Sequence, residues 1–287
     1  DLDWGNSARR LTHSRAVAHR STPLRRVVSW NINSIRTRVG QVVEWAERHD
    51  ADVLLLQETK CTEADFPHDR FEAAGYEVAH HGVDHWNGVA IASRVCIEDV
   101  ARGFTGVQRS PYDEARLIAA TCAGVRLWSV YVPNGRELDD PHYLYKLVWL
   151  ERLRAEVAAV LGDGDPAVVA GDFNVAPADI DIYMPSRWKR RTHASAPERA
   201  AIDALLDLGL HDVTREHHPE PGVYTWWNYR PGSLDKDQGL RIDLALCSPA
   251  AAAMVDDVWI DRAARAAERP SDHAPLVLDL VGGQPGG

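Results

Sequence analysis

Five times along this chain a short apolar run meets a cluster of polar residues. Val27-Val28-Ser29-Trp30 leads into Asn31 and Asn33. Val53-Leu54-Leu55-Leu56 leads into Gln57-Glu58-Thr59-Lys60. The run from Val125 ends in Tyr131-Val132-Pro133-Asn134. Pro166 to Ala170 is followed at once by Gly171-Asp172-Phe173-Asn174. Ser271-Asp272-His273-Ala274-Pro275 precedes Leu276 to Leu280. Runs this short and this apolar read as buried strands rather than helices. A chain built from such strands folds in layers, and the strand ends bring polar side chains to one rim.

Helical periods fall between the strands. Val39, Val42, Val43 and Ala46 predict a helix over Val39–His49, which makes a strand–helix–strand unit with its neighbours. His142–Leu161 is the strongest helix, with an expected apolar stripe of Leu144, Leu147, Leu150, Leu153, Val157 and Val160. Pro141 starts it and Gly162 is the expected cap. Glu198–Leu208 is a second helix, capped by Gly209, and residues 177–195 read as loop. Further strands are expected at Gly75–His80, Gly88–Ser93, Arg241–Leu246, Ala253–Ile260 and Leu276–Leu280. Many strands with few helices predict an α/β fold: two packed mixed sheets flanked by helices, in one domain spanning 26–281. Residues 1–25 lack periodicity and read as an N-terminal extension. Residues 282–287 read as a disordered tail.

Composition narrows the function. The chain is 287 residues with a net charge of −10, so it is no polycation that coats nucleic acid by bulk charge. An acidic excess suits a protein that gathers carboxylates around a divalent metal. No apolar run approaches the roughly 18 residues a membrane span requires. Arg9, Arg10, Arg15 and Arg20 are not followed by the apolar segment of a secretory signal. A cytoplasmic protein is expected. Cys61, Cys96, Cys122 and Cys247 are widely spaced and read as free thiols.

Each polar cluster taken singly has an ordinary explanation: a turn asparagine, a solvated glutamate, a core tyrosine. Together they supply an oxygen-rich set, Glu58, Asp172, Asn174 and Asp272, to which Asp243 of the expected strand Arg241–Leu246 adds. Hard oxygen ligands suit Mg²⁺, with Mn²⁺ able to substitute, rather than Zn²⁺. One histidine and one aspartate beside such a metal suit phosphoester hydrolysis.

The motifs Ser29-Trp30-Asn31-Ile32-Asn33-Ser34-Ile35-Arg36, Leu56-Gln57-Glu58-Thr59-Lys60 and Gly171-Asp172-Phe173-Asn174-Val175 then make the pattern specific. Gly239-Leu240-Arg241-Ile242-Asp243 and Pro270-Ser271-Asp272-His273-Ala274-Pro275 complete it. The chain resembles the exonuclease III family of apurinic/apyrimidinic (AP) endonucleases, within the endonuclease/exonuclease/phosphatase superfamily. The departures are Trp30, where another aromatic such as Phe is usual, and Ser34, where Gly is common. The resemblance implies a four-layered α/β sandwich and a Mg²⁺-dependent DNA repair phosphodiesterase. Such an enzyme incises 5′ to abasic sites, degrades duplex DNA 3′→5′ and trims blocked 3′ ends. Its partner is double-stranded DNA, and it works as a monomer.

The resemblance also implies roles. Glu58 is the main metal carboxylate, with Asn31 beside it. Asp172 orients and deprotonates the attacking water, and Asn174 contacts the scissile phosphate. His273 meets a phosphate oxygen, with Asp243 orienting it. Asp272 joins the metal network, and Tyr131 lies near the phosphate or the leaving oxygen. Asn33 and the run Arg187, Lys189, Arg190 and Arg191 are expected to touch DNA. Trp226, in Tyr224-Thr225-Trp226-Trp227-Asn228-Tyr229-Arg230, matches an aromatic wall beside the abasic pocket, which suits an extruded sugar that carries no base. Trp227 reads equally as core. Arg109 and Tyr112 lie in a loop leading to a central strand. Arg116 is expected either at DNA or in a surface ion pair, and Lys146 is expected to approach the site. A superfamily phosphatase or lipid phosphodiesterase, and a catalytically idle DNA-binding member, remain as alternatives.

Overall fold

The computed structural model describes residues 23–105, 114–162 and 164–281. The expected extension up to residue 22, Arg109, Tyr112 and the tail 282–287 lie outside the described residues. In chain order the strands are β1 (Arg26–Asn31), β2 (Val53–Gln57), β3 (Glu77–His81), β4 (Val89–Ser93), β5 (Glu98–Arg102), β6 (Leu117–Cys122) and β7 (Val125–Tyr131). They continue as β8 (Ala167–Asp172), β9 (His211–Asp212), β10 (Trp226–Trp227), β11 (Gly239–Leu240), β12 (Asp243–Cys247), β13 (Val255–Ile260) and β14 (Leu276–Leu280). The helices are α1 (Ile35–Arg48), α2 (His68–Ala73), α3 (Pro141–Val160), α4 (Ala196–Leu206), α5 (Val213–His217), α6 (Pro249–Ala252) and α7 (Arg262–Arg265).

Two six-stranded sheets form, in the orders β13-β14-β1-β2-β4-β3 and β5-β6-β7-β8-β12-β9, with β10-β11 as a separate ribbon. Both sheets are mixed. β1 runs parallel to β2 and β7 parallel to β8, while their other neighbours are antiparallel. Strand alternation sends Val27, Val53 and Leu55 into a core between the sheets, where they meet Ile118, Leu127, Val168 and Ala245. Val28, Leu54 and Leu56 point the other way, toward α1 and α2. Val169, Leu244 and Leu246 face α3 and α4. Strands buried on both faces explain the unbroken apolar runs. The four layers are those expected: helices, sheet, sheet, helices.

Several local expectations shift. α1 begins at Ile35, four residues ahead of the expected start, because buried Ile35 extends its face past polar Arg36, Thr37 and Arg38. The packed face of α3 is Tyr143, Tyr145, Trp149, Leu150, Leu153 and Val157, with Lys146 and Glu156, whereas Leu144 and Val160 are exposed. Apolar residues surround this helix on all sides, so the leucine spacing alone did not identify the buried face. The residue after α3 is Leu161, and Gly162 takes no left-handed cap conformation. α4 starts at a reciprocal cap, in which the Glu198 carboxylate accepts from Ser195 N at 3.0 Å. Leu24 and Arg25 join the fold ahead of the expected boundary. Leu24 is buried in the inter-sheet core, and Arg25 N donates to Asp52. Among the described residues no helix is long and apolar enough to cross a membrane.

Candidate active site

The strand register builds the site. Asn31 ends β1 opposite Gln57 of β2, so Glu58 follows one residue on. Tyr131 ends β7 opposite Asp172 of β8, and Asp243 starts β12 opposite the same Asp172. The two sheets thus deliver their polar ends to one rim. At Gly171 the β7 and β8 backbones are pressed together: a Cβ there would meet the Val130 carbonyl oxygen at 2.0 Å. Only glycine allows Asp172 to stand where it does.

Asn31 ties the sheets together. Its Nδ2 donates to Glu58 Oε1 at 2.8 Å and to Asp172 Oδ2 at 2.9 Å. Asp172 Oδ1 accepts from the Asn174 backbone N–H at 2.9 Å. His273 Nδ1 pairs with Asp243 Oδ2 at 2.8 Å, which leaves Nε2 3.6 Å from Asp172 Oδ2. The Asn174 amide donates to Val132 O at 3.0 Å and accepts from Asn134 Nδ2 at 3.1 Å. The Tyr131 ring lies under Arg116, whose guanidinium carbon is 4.6 Å from the ring centroid.

The electrostatics follow from burial. Burial raises the Asp172 carboxyl; His273 opposes this, but Asp243 and Glu58 add to it and the value reaches about 7. Burial lowers the His273 imidazolium, but Asp243 and Asp172 outweigh it and push the ring up to about 10. Burial, then the charge of Glu58, push the Tyr131 phenol well above its ordinary range, so it stays protonated and can donate. Buried Asp243 Oδ1 has no hydrogen-bond partner among the described residues.

Glu58, Asp172 and His273 offer ligand atoms that all lie within 4.8 Å of one another. His273 is held charged, so the oxygens of Glu58 and Asp172 and the Asn31 amide carry the donor character. Carboxylates gathered closely enough to raise Asp172 fit a hard divalent cation, and the donor chemistry is oxygen rather than sulfur. Asp272 stands beside this cluster rather than in it. Its oxygens accept from Trp226 Nε1 at 2.9 Å and Asn33 Nδ2 at 3.1 Å.

The site is held in conformations that cost energy. Asn33, Glu58, Lys60, Asn174 and His193 all have positive φ, as does Ser34 at +97°. Non-glycine residues adopt this region at a cost of about 1–3 kcal/mol each where the surroundings enforce it. Here Ser34 N donates to Glu58 O at 2.7 Å and Lys60 N to Asn87 O at 2.8 Å.

The expected DNA-facing residues separate into groups. Arg187, Lys189, Arg190 and Arg191 are exposed on one turn. Trp226 is half-buried and tied to Asp272, and Asn33 also bonds Lys60 Nζ at 2.5 Å. Trp227 is core, edge-on to Tyr224. Arg116 is neither free nor at the surface: it is buried and paired with Glu114 at 2.6 Å. Lys146 does approach the rim, but from beneath, as a buried ion pair with Glu198 at 2.5 Å.

Sequence reasoning assigned no role to Lys60, Asn134 or His193. Lys60 Nζ sits 2.7 Å from Glu58 Oε2, and His193 Nδ1 sits 2.6 Å from the Asn174 carbonyl oxygen. Lys60 and Asn134 lie inside the quoted motifs, where their polarity was a usable signal. His193 carries no local signal, because only the closing of a loop brings it to Asn174.

Residues 28–273 match the Endonuclease/Exonuclease/phosphatase family. Exodeoxyribonuclease III of Haemophilus influenzae is 32% identical over 264 residues, covering 87% of this chain and 97% of that protein. The solved AP endonuclease from Archaeoglobus fulgidus is 39% identical with a TM-score of 0.85, over 89% of this chain and 98% of its own. The 3′ phosphatase NExo from Neisseria, solved with a product DNA hairpin, is 40% identical with a TM-score of 0.86, over 90% and 99%. The chain belongs to the Endonuclease/Exonuclease/phosphatase family. Within it, the chain sits with the exonuclease III family of AP endonucleases that its sequence resembles.

Proposed function

We propose that this protein is a Mg²⁺-dependent DNA repair phosphodiesterase of the exodeoxyribonuclease III type, one domain over residues 24–281. It works as a cytoplasmic monomer on double-stranded DNA with abasic sites or 3′-blocked ends. Incision 5′ to an abasic site, 3′→5′ degradation and 3′-end trimming all break one kind of bond, that between a 3′ oxygen and phosphorus. The observation that carries the reading is the convergence of Glu58, Asp172 and His273 at the rim shared by both sheets. The relatives named as exodeoxyribonuclease III, AP endonuclease and 3′ phosphatase support it.

Glu58, Asn31 and Asp172 would hold the cation, with Asn174 and Asp272 bordering it. When bound, a divalent cation offsets charge on a non-bridging phosphate oxygen and on the leaving 3′ oxygen. Asp172 takes the proton from the attacking water. Its carboxyl, raised to about 7, is basic enough to accept and is held in place by Asn31 and the Asn174 N–H. His273 donates from Nε2 to a phosphate oxygen while Asp243 holds Nδ1, so the ring presents a fixed positive charge where negative charge develops. Asn174 steadies the scissile phosphate from the same side. The Tyr131 hydroxyl, kept protonated, donates near the leaving oxygen.

The test uses labelled duplexes, one with a single abasic analogue and one with a 3′-phosphate at a nick, each with Mg²⁺ and with EDTA. Metal-dependent cleavage 5′ to the lesion and release of inorganic phosphate from the nick are expected. No reaction on either duplex with Mg²⁺ or Mn²⁺ would overturn the reading.

A further inference from the structure

Two cavities open on either side of the basic turn, of about 570 Å³ and about 790 Å³. Both fall in the range of ~300–1,000 Å³ typical of ligand clefts. They share two lining residues, Trp188 and Arg191, which form the wall between them. The smaller cavity also carries Arg187, Arg230 and Trp226, and Trp226 reaches Asp272 of the site. The larger carries Arg136, Arg190, Asn134 and His193, and the last two bond Asn174 of the site. Each cavity is therefore linked to a different side of the reacting centre.

The wall is built. Pro185 opens a short turn, Trp188 N donates to Pro185 O at 2.9 Å, and Arg191 N to Trp188 O at 3.0 Å. Tyr183 N, just before it, is tethered to Gly239 O of β11 at 2.9 Å. The indole rests on the buried cluster of Ala176, Ile182, Leu240 and Ile242. Its ring is flanked by His193 at 5.7 Å between centroids and by the Arg191 guanidinium at 5.9 Å. Arg187, Arg190, Arg191 and Arg230 are exposed and have no carboxylate partner among the described residues. Other arginines of the fold do have one, as Arg26, Arg116, Arg199 and Arg241 show. A half-buried indole edged by unpaired guanidinium groups, between two nucleotide-sized cavities, has the chemistry of a stacking platform on a phosphate track.

We propose that Trp188 is a specificity-determining partition. It separates two successive nucleotides across the scissile step, stacks on one of them, and lets Arg187 and Arg191 take the phosphate on one side and Arg190 on the other. The proposal rests on the DNA reading above and adds the residue that sets the step.

The test measures duplex binding without turnover, in EDTA, by fluorescence anisotropy over a series of salt concentrations. The duplexes carry an abasic analogue flanked by 2-aminopurine. Trp188→Ala should weaken binding about 5- to 150-fold, the range expected for one base–aromatic stack. The slope of log K against log salt should not change, because no charge is removed. Trp188→Phe should recover most of the loss. Arg191→Ala should instead reduce the magnitude of the slope by about 0.9. The 2-aminopurine signal on binding should be quenched by the parent and not by Trp188→Ala. Melting curves on each variant separate a binding loss from a folding loss. Trp188→Ala that binds within twofold of the parent, with unchanged 2-aminopurine quenching, would overturn the proposal and leave the indole as a lid on the Ile182 cluster. A parent protein that does not bind the duplex at all would remove the DNA reading itself, and the partition with it.

Discussion

Replacing Lys146 with methionine should cost about 3–5 kcal/mol of stability and expose how the rim is held. Lys146 Nζ is fully buried and touches Glu198 Oε1 at 2.5 Å, Asn174 O at 2.7 Å, Asn134 O at 3.2 Å and Thr192 Oγ1 at 3.3 Å. Glu198 in turn accepts from Thr192, His193 N and Ser195. One ion pair thus pins three loops that border the site. Burial lowers the Lys146 amine more than Glu198 raises it. Burial raises Glu198, but Lys146 and the hydroxyls outweigh it and bring the carboxyl to about 2. Breaking a buried pair from one side strands the other charge, which is the source of the cost. A fold of this size loses about 2–4 °C per kcal/mol, so thermal unfolding should show a fall of about 10 °C.

The pH dependence provides an independent check. In the parent, Glu198 titrates below its ordinary value. Its stabilisation is complete above about pH 4.5 and is lost as pH falls through about 2. In Lys146→Met the stranded carboxyl titrates above its ordinary value, so its penalty grows as pH rises. The variant's deficit should be smaller at pH 4 than at pH 7.5, and Lys146→Met with Glu198→Gln should melt above the single variant at pH 7.5. A single variant within 1 °C of the parent, or a deficit that does not change with pH, would refute the reasoning.

Other outcomes follow from the same geometry. Ser34→Gly should stabilise the protein by about 0.5–1 kcal/mol in urea unfolding, because Ser34 sits at φ +97° where glycine rests without strain. Mg²⁺ at about 100 times its Kd should add about 2.7 kcal/mol of stability, and Glu58→Gln should remove most of that gain in thermal shift. Arg187→Ala with Arg190→Ala should lower the magnitude of the salt slope for duplex binding by about 1.8, since each removes one phosphate contact.

The fold was legible where burial and sequence pattern agree. β1, β2, β8 and β14 are buried apolar strands, and each polar cluster lies at the end where the register places it on the rim. Edge strand β5 was not, because Glu98-Asp99-Val100-Ala101-Arg102 is mostly exposed and carries no apolar run. The short ribbon β10-β11 is equally invisible, since two-residue strands have no period. Glu58, Asp172 and His273 stood out as polar residues at apolar strand ends, and Asp243 came with the family motif. Asn31 as a bridge between two carboxylates did not, since a turn asparagine looks the same in sequence. The buried pair under the rim was hidden for another reason: Lys146 and Glu198 are 52 residues apart, and each looks like a solvated helix position. The basic turn was readable as charge. Its tryptophan became a partition only when loop closure placed Asn134 and His193 behind it.

The most direct test of the central claim is the single-turnover rate of incision at an abasic analogue across pH, for the parent and for Asp172→Asn. The parent rate should rise with pH along a limb at or below about 7, where Asp172 becomes able to accept a proton. Asp172→Asn should be about 10²–10⁴-fold slower and lack that limb, while binding duplex as tightly as the parent. An Asp172→Asn rate within threefold of the parent, with the limb intact, would contradict the account.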